Sequence, residues 1–144
     1  MKLLDTYFIS LSDICQPFAN NEVLYNQARI FYQQLDNLSF LFLVIAILLS
    51  VFSAWFYFGP YNNKAGRHYR ISHWVIFLLI AFVSVFLVTW ALQEFSISIS
   101  IRGVWIYELQ IALINACYAT IIYLAATFVV HNWLPTNAYR FFKF

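Results

Sequence analysis

The chain has 144 residues, of which 63% are hydrophobic and only 10% are charged, whereas a soluble domain usually carries about 25% charged residues. A chain this short has too much surface for its volume to hide so many apolar groups in one aqueous core, so the composition excludes an ordinary soluble domain. The net charge of +2 is too small to predict a nucleic-acid partner.

Residues 1–17 predict an amphipathic helix that lies in the membrane interface or packs on a partner. Its apolar residues recur at steps of three and four, which places them on one helical face. They are Leu3, Leu4, Tyr7, Phe8, Leu11, Ile14 and Cys15, followed by Phe18. The helix is too short to span, because a spanning helix needs about 20 apolar residues. We predict Leu4, Phe8 and Leu11 as partner contacts, and Pro17 as the end of the element.

Residues 20–37 predict a polar helix that acts as a stalk and continues into a first span at 38–58. Asn20 and Asn21 are candidate caps for the stalk. The segment 38–58 has no charged side chain and is long enough to cross about 30 Å of hydrocarbon. Asp5 and Asp13 interrupt the apolar run that a cleavable signal peptide would need, so we expect the mature chain to begin near Met1.

The rest of the chain predicts two further spans. Gly59-Pro60 is expected to end the first span and to open a polar loop over residues 59–70. The segments 71–92 and 109–131 contain no Asp, Glu, Lys or Arg, and we predict both as transmembrane helices. The tail, 132–144, combines aromatic and basic side chains.

The basic residues predict an orientation, because short cytoplasmic loops gather Lys and Arg. Three spans put the 59–70 loop and the tail on the same side, and together these hold Lys64, Arg67, Arg70, Arg140 and Lys143. The opposite side holds Lys2, Arg29 and Arg102. We therefore expect the N-terminus outside and the C-terminus in the cytoplasm, with the basic loop at Lys64, Arg67 and Arg70, in a bacterial inner membrane.

The connection 93–108 carries a strand pattern. Isoleucine and serine alternate without a fault from Phe95 to Ile101, which is the period of a half-buried strand. A turn at Arg102-Gly103 would make a short β-hairpin, while an irregular loop is the alternative. Because an isolated hairpin is only marginally stable, we predict that Phe95, Ile97, Ile99 and Ile101 contact a partner.

Each predicted span carries one stripe of small or polar residues through which helices can approach closely. On the first span these are Ala46, Ser50, Ser53 and Ala54; on the second they are Ala81, Ser84, Val88 and Ala91; on the third they are Ala112, Asn115, Ala116 and Ala119. Asn115 is the best candidate for a hydrogen bond between helices.

No pattern in the sequence predicts catalysis or a cofactor. His68, His73 and His131 have no metal-ligand spacing, and Cys15 and Cys117 belong to distant segments without a Cys-x-x-Cys pair. We therefore predict no enzyme, no cofactor and no small-molecule substrate.

The sequence as a whole predicts an all-α integral membrane protein: an N-terminal amphipathic helix, a stalk and three transmembrane helices. The leading hypothesis is a non-enzymatic structural subunit of a multi-component membrane complex, of which an envelope-spanning secretion or injection apparatus is one kind. Its partners would be the bilayer and other membrane subunits, of the same or different chains. The alternative is a small homo-oligomeric pore, such as a toxin or defence effector, because Ser and Thr side chains inside the spans can also line a channel.

Overall fold

The computed structural model describes residues 3–63, 71–99, 101 and 103–133. About 89% of these residues are helical and none of them belongs to a strand. The helices are α1 (Leu3–Tyr7), α2 (Leu11–Cys15), α3 (Glu22–Phe56), α4 (Ile71–Ser96) and α5 (Trp105–Trp133), with a 3-10 turn at Gln16–Phe18 and a π-helical turn at Tyr57–Tyr61. Three segments, Glu22–Tyr61, Ile71–Ser96 and Trp105–Trp133, are long and apolar enough to cross a membrane. The prediction of three helices with the length and composition of membrane spans is therefore confirmed.

Helix α3 runs through the predicted stalk and the first span without a break. Its start is fixed by Asn21, whose Oδ1 accepts hydrogen bonds from the backbone amides of Val23 (3.1 Å) and Leu24 (3.2 Å). Gly59 and Pro60 do not stop the helix at once, because the chain continues for one π-helical turn. The turn ends where Asn62 Nδ2 donates to the carbonyl of Tyr57 at 2.6 Å, which satisfies a carbonyl near the helix end.

The chain forms two compact units, and α3, α4 and α5 each contribute a segment to both. The first unit combines the residues up to Ile45 with Phe86–Asn115. The second combines Ala46–Val85 with the residues from Ala116 onward.

The N-terminal segment is folded into the core of the first unit, and the predicted single amphipathic helix is wrong. Two five-residue helices replace it, because Ser10 and Asp13 form a capping box that starts a new helix at Leu11. The break lets Leu4 and Ile14 bury completely. The buried core contains Leu4, Ile9, Ile14, Cys15, Ala28, Phe31, Tyr32, Leu35, Phe42, Ile101, Val104 and Ile111.

Polar contacts fasten the N-terminal segment to α3 and α5. The hydroxyl of Tyr32, which is fully buried, donates to Asp5 Oδ1 at 2.5 Å. The same carboxyl oxygen accepts from the backbone amide of Leu11 at 3.1 Å, at the start of α2. The hydroxyl of Tyr107 donates to the carbonyl of Asp13 at 3.1 Å. Asp5 therefore joins α1, α2 and α3 through one side chain.

The connection between α4 and α5 contains no strand among its described residues, and the predicted hairpin is wrong. Phe95 still belongs to α4, residues 97–99 have no regular structure, and α5 begins at Trp105. The backbone amide of Val104 donates to the carbonyl of Ile101 at 3.2 Å, and Gly103 takes φ 95°, a conformation that glycine adopts without strain. The alternation has another cause: the isoleucines pack on the core, while Ser98 is exposed. Ser100 and Arg102 lie outside the described residues.

The core of the second unit is built from small residues and rings. Ala46, Val85 and Ala119 form one buried cluster, and Ala54, Ala81, Tyr123 and Ala126 form another. Tyr57 and Phe58, both fully buried, form a third next to the π-helical turn. The predicted basic loop residues Lys64, Arg67 and Arg70 and the tail from residue 134 lie outside the described residues.

Cys15 can report whether the N-terminal segment stays folded. In a Cys117→Ser background Cys15 is the only thiol, and burial raises its pKa, an effect that nearby Arg29 partly opposes. The thiolate is the reactive form, so we expect slow alkylation by a water-soluble maleimide, with a pH midpoint above that of an ordinary cysteine. Tyr32→Phe removes the bond to Asp5 and should speed the reaction about tenfold, as expected for losing a hydrogen bond to a charged group.

Tyr25→Phe is the matched control, because Tyr25 lies on the same helix, is exposed, and has no hydroxyl hydrogen bond among the described residues. Its labelling rate should equal that of the parent. Equal rates for the parent and Tyr32→Phe would show that the Asp5 contact does not hold the segment.

Candidate functional site

The Asn115 side chain on α5 is fully buried in the first unit, and its Oδ1 accepts no hydrogen bond from a described residue. Its Nδ2 donates to the carbonyl of Phe42 on α3 at 2.9 Å and to Thr89 Oγ1 on α4 at 2.8 Å. One amide therefore joins all three long helices. In an apolar surrounding such bonds supply association that the hydrophobic effect cannot, because lipid chains are as apolar as the helix faces.

Gln93 lies one helical turn beyond Thr89 on α4 and also makes two hydrogen bonds. Its Nε2 donates to the carbonyl of Thr89 and to the carbonyl of Glu108, both at 3.2 Å. The first bond stays within α4 and the second ties α4 to the start of α5. Gln93 is fully buried and its Oε1 accepts no hydrogen bond from a described residue.

In the second unit, three side chains link α4 and α5 reciprocally. Trp74 Nε1 donates to Thr127 Oγ1 at 3.3 Å, and the Tyr123 hydroxyl donates to the Trp74 carbonyl at 3.3 Å. Thr127 Oγ1 in turn donates to the Tyr123 carbonyl one helical turn earlier, at 2.8 Å. Each group uses its polar atoms within the chain, so this ring of contacts stiffens the helix pair.

Two serines of the predicted first-span stripe bond to neighbouring helices. Ser50 Oγ donates to the carbonyl of Ala119 on α5 at 2.9 Å, and Ser53 Oγ donates to the carbonyl of Phe77 on α4 at 3.0 Å. Both serines are buried. A small residue is required at each position, because the side-chain oxygen reaches the carbonyl of another helix only when the two backbones lie close together.

Most of the predicted packing residues are buried within the chain. These are Ala46, Ser50, Ser53, Ala54, Ala81, Ala112, Asn115, Ala116 and Ala119. Ser84 is partly exposed, and Ala91 and Val88 are exposed. Only part of the predicted stripe on α4 therefore lies on the buried face of that helix. Val85 and Thr89, which are fully buried, belong to this face, although the sequence analysis did not include them in the stripe.

The residues that we predicted as partner contacts lie mostly in the chain's own core. Leu4 and Ile101 are buried, and Phe8, Leu11, Ile97 and Ile99 pack against the same core. These six side chains therefore contact the chain's own core, and their contact with a partner stays a prediction. Phe95 differs from them, because it is 90% exposed at the end of α4.

The titratable and nucleophilic side chains do not converge in the described part of the chain. No group of three or more His, Cys, Asp or Glu side chains there could hold a metal ion. His73 Nδ1 shares a hydrogen bond of 3.1 Å with the Tyr61 hydroxyl, and the His131 ring packs edge-on against Phe58. His68 lies outside the described residues, and Cys117 is exposed on α5.

The sequence predicted Thr89, Tyr123 and Thr127 only as members of a larger set of polar groups that join helices or line a channel, and it assigned no helix contact to Gln93 or Trp74. Thr89 and Gln93 on α4, and Trp74, Tyr123 and Thr127 in the second unit, do not belong to the small-residue stripes that drew attention to the spans. Their signal in the sequence is their polarity inside an apolar run, which does not tell which face of the helix packs.

No family model, curated protein or solved structure matches the chain.

Asn115 and Thr89 should be coupled in stability. Asn115→Ala removes two bonds between helices, and Thr89→Val removes the acceptor of one of them. We expect a double-mutant cycle, measured by unfolding in mixed micelles of mild detergent and dodecyl sulfate, to give a coupling of about 0.6 kcal/mol, the average for such bonds in membranes.

Thr120→Val is the matched control, because Thr120 Oγ1 donates only to the Ala116 carbonyl of its own helix, at 3.2 Å. Its cycle with Asn115→Ala should show no coupling. A coupling of zero between Asn115 and Thr89 would mean that their hydrogen bond does not contribute to holding the helices together.

Proposed function

We propose that the chain is an integral membrane protein that serves as a non-enzymatic structural subunit of a larger membrane complex. The observation that supports this most is that polar side chains of the apolar helices make their hydrogen bonds to other helices of the same chain. Ser50 and Asn115 donate hydrogen bonds to neighbouring helices, and Thr127 accepts one from Trp74 of α4. The helices are thereby fixed to one another, and their outer faces are left apolar.

The same observation disfavours the alternative, a homo-oligomeric pore. A channel wall needs polar groups directed toward the conducting path. Ser50 and Asn115, two polar residues inside the predicted spans, are fully buried and hydrogen-bonded to other helices of the same chain. Ser84 differs from them because it is partly exposed, but its surroundings are apolar.

Ser84 lies at the edge of an apolar groove in the second unit, which is the surface best suited to a neighbouring subunit. The groove has a volume of about 310 Å³. Its lining is formed by Leu49, Phe52, Ser53, Phe56, Phe77, Ile80, Ala81 and Ser84. Small residues beside large rings form the kind of recess into which side chains of another helix can pack.

We further propose a bacterial inner-membrane location with the N-terminus outside. This rests on the distribution of basic residues in the sequence, with five on the side of the 59–70 loop and the tail and three on the other side. An envelope-spanning secretion or injection apparatus is one assembly that would use such a subunit.

The subunit proposal can be tested by filling the groove. The tagged chain, extracted from its native membrane in mild detergent, should elute with other membrane proteins at a fixed ratio by mass measurement. Ser84→Leu should release these partners, because the larger side chain occupies the recess, while the chain itself remains folded. Ala125→Leu is the matched control, since Ala125 is exposed on α5 and is not among the groove residues.

Ion leakage from reconstituted vesicles distinguishes the subunit hypothesis from the pore hypothesis. The purified chain alone should leak potassium ions no faster than vesicles without protein. A leak that rises with protein content and is abolished by Ser84→Leu would support the pore and contradict the subunit proposal.

The orientation can be tested with single cysteines in a chain whose Cys15 and Cys117 are replaced by alanine. Asn20→Cys and Asn63→Cys both lie at exposed positions at opposite ends of α3 and its π-helical turn. In intact cells an impermeant maleimide should label position 20 and should label position 63 only after the membrane is opened. The reverse pattern would invert the proposed orientation.

A further inference from the structure

A cleft in the first unit lies between the end of α4 and the start of α5. Its volume is about 370 Å³. The lining consists of Gln93, Glu94, Ile97, Ser98, Ile99, Ile101, Gly103, Val104, Trp105 and Glu108. Since a cavity needs only about 10–15 Å³ of such space to hold one water, the cleft has room for a ligand larger than a bare ion.

Gln93 is one of the lining residues of this cleft, and its buried amide has one acceptor without a hydrogen bond. Its Nε2 faces two backbone carbonyls, those of Thr89 and Glu108, which only accept hydrogen bonds. The orientation of the amide is thereby fixed, and Oε1 is the atom without a donor among the described residues. A buried carbonyl oxygen without a donor is costly, so a ligand that brings an N–H group would be stabilised there.

Glu94 and Glu108 line the same cleft and give it a negative charge. Within the described part of the chain neither carboxylate has an ion-pair or hydrogen-bond partner for its side chain. Glu94 is exposed and Glu108 is half-buried, so Glu94 is the more accessible of the two carboxylates. Two carboxylates and a free amide oxygen together attract a positively charged hydrogen-bond donor.

We propose that this cleft binds a primary ammonium group carrying an alkyl chain. A primary ammonium has three N–H donors and no acceptor, which matches Gln93 Oε1 and the carboxylates of Glu94 and Glu108. The apolar side chains of Ile97, Ile99 and Val104 in the same lining provide contacts for the alkyl part. This binding site is independent of whether the chain is a structural subunit.

Butylammonium is the probe, titrated into the purified full-length chain in a neutral detergent and followed by tryptophan fluorescence. Trp105 lines the cleft and is 62% exposed, so its signal should change as the cleft fills, and Trp105→Phe should remove that change. Glu94→Gln and Glu108→Gln keep the size of the side chain and remove its charge. Each should weaken binding about tenfold, as expected for losing a charged hydrogen bond.

Glu22→Gln is the matched control, because Glu22 lies in the first turn of α3 and is not a cleft residue. It should bind like the parent. Equal affinity for tetramethylammonium, which has no N–H donor, would overturn the proposal. So would saturable binding of calcium ions without binding of butylammonium, or binding of butylammonium only after Arg102→Gln, which would mean that the chain's own guanidinium fills the cleft.

Nanodiscs distinguish the two natural sources of the ammonium group. If a lipid headgroup occupies the cleft, nanodiscs of phosphatidylethanolamine should weaken the apparent affinity for butylammonium compared with nanodiscs of phosphatidylcholine. If the ligand is a free amine, the affinity should be the same in both. An absence of binding in detergent and in both nanodiscs would refute the site.

Discussion

The structure depends on hydrogen bonds that buried polar groups make to partners inside the chain. In hydrocarbon no water can replace a missing hydrogen bond, and an unpaired group costs several kcal/mol. Helices satisfy the backbone by themselves. Several polar side chains of the long helices bond to a neighbouring helix, as Asn115 does when its amide donates to Phe42 and Thr89. The same requirement that makes these groups costly makes them effective in selecting one arrangement of helices.

The N-terminal segment follows the same rule near the ends of the long helices. Asp5 accepts hydrogen bonds from both Tyr32 and the backbone of Leu11, so its charge is used to join three elements. The segment thereby covers apolar side chains at the first part of α3 that a free amphipathic helix would leave exposed. A surface that the sequence offers to a partner is, in the folded chain, part of its own core.

This rule is not met everywhere among the described residues, because Gln34 Oε1, Gln93 Oε1 and Asn115 Oδ1 are buried and accept no hydrogen bond. Of these three residues, only Gln93 lines the cleft between α4 and α5. Gln93 Oε1 is buried without a donor, while two carboxylates line the same space. An incomplete set of hydrogen bonds beside a negative charge is what distinguishes a binding site from a packing contact.

The sequence by itself determined the all-α class and the three apolar helices, because the length of an uncharged run is a local property that any helix in lipid must have. It also found Asn115, since an amide inside such a run has few other uses. The tertiary structure alone decided which face of α4 packs, because Ala91 and Thr89 are equally compatible with a helix and differ only in what lies opposite. It also decided that the described residues of 95–101 do not form a strand. The alternation of isoleucine and serine indicates that one side is buried, but it does not show whether a partner strand exists.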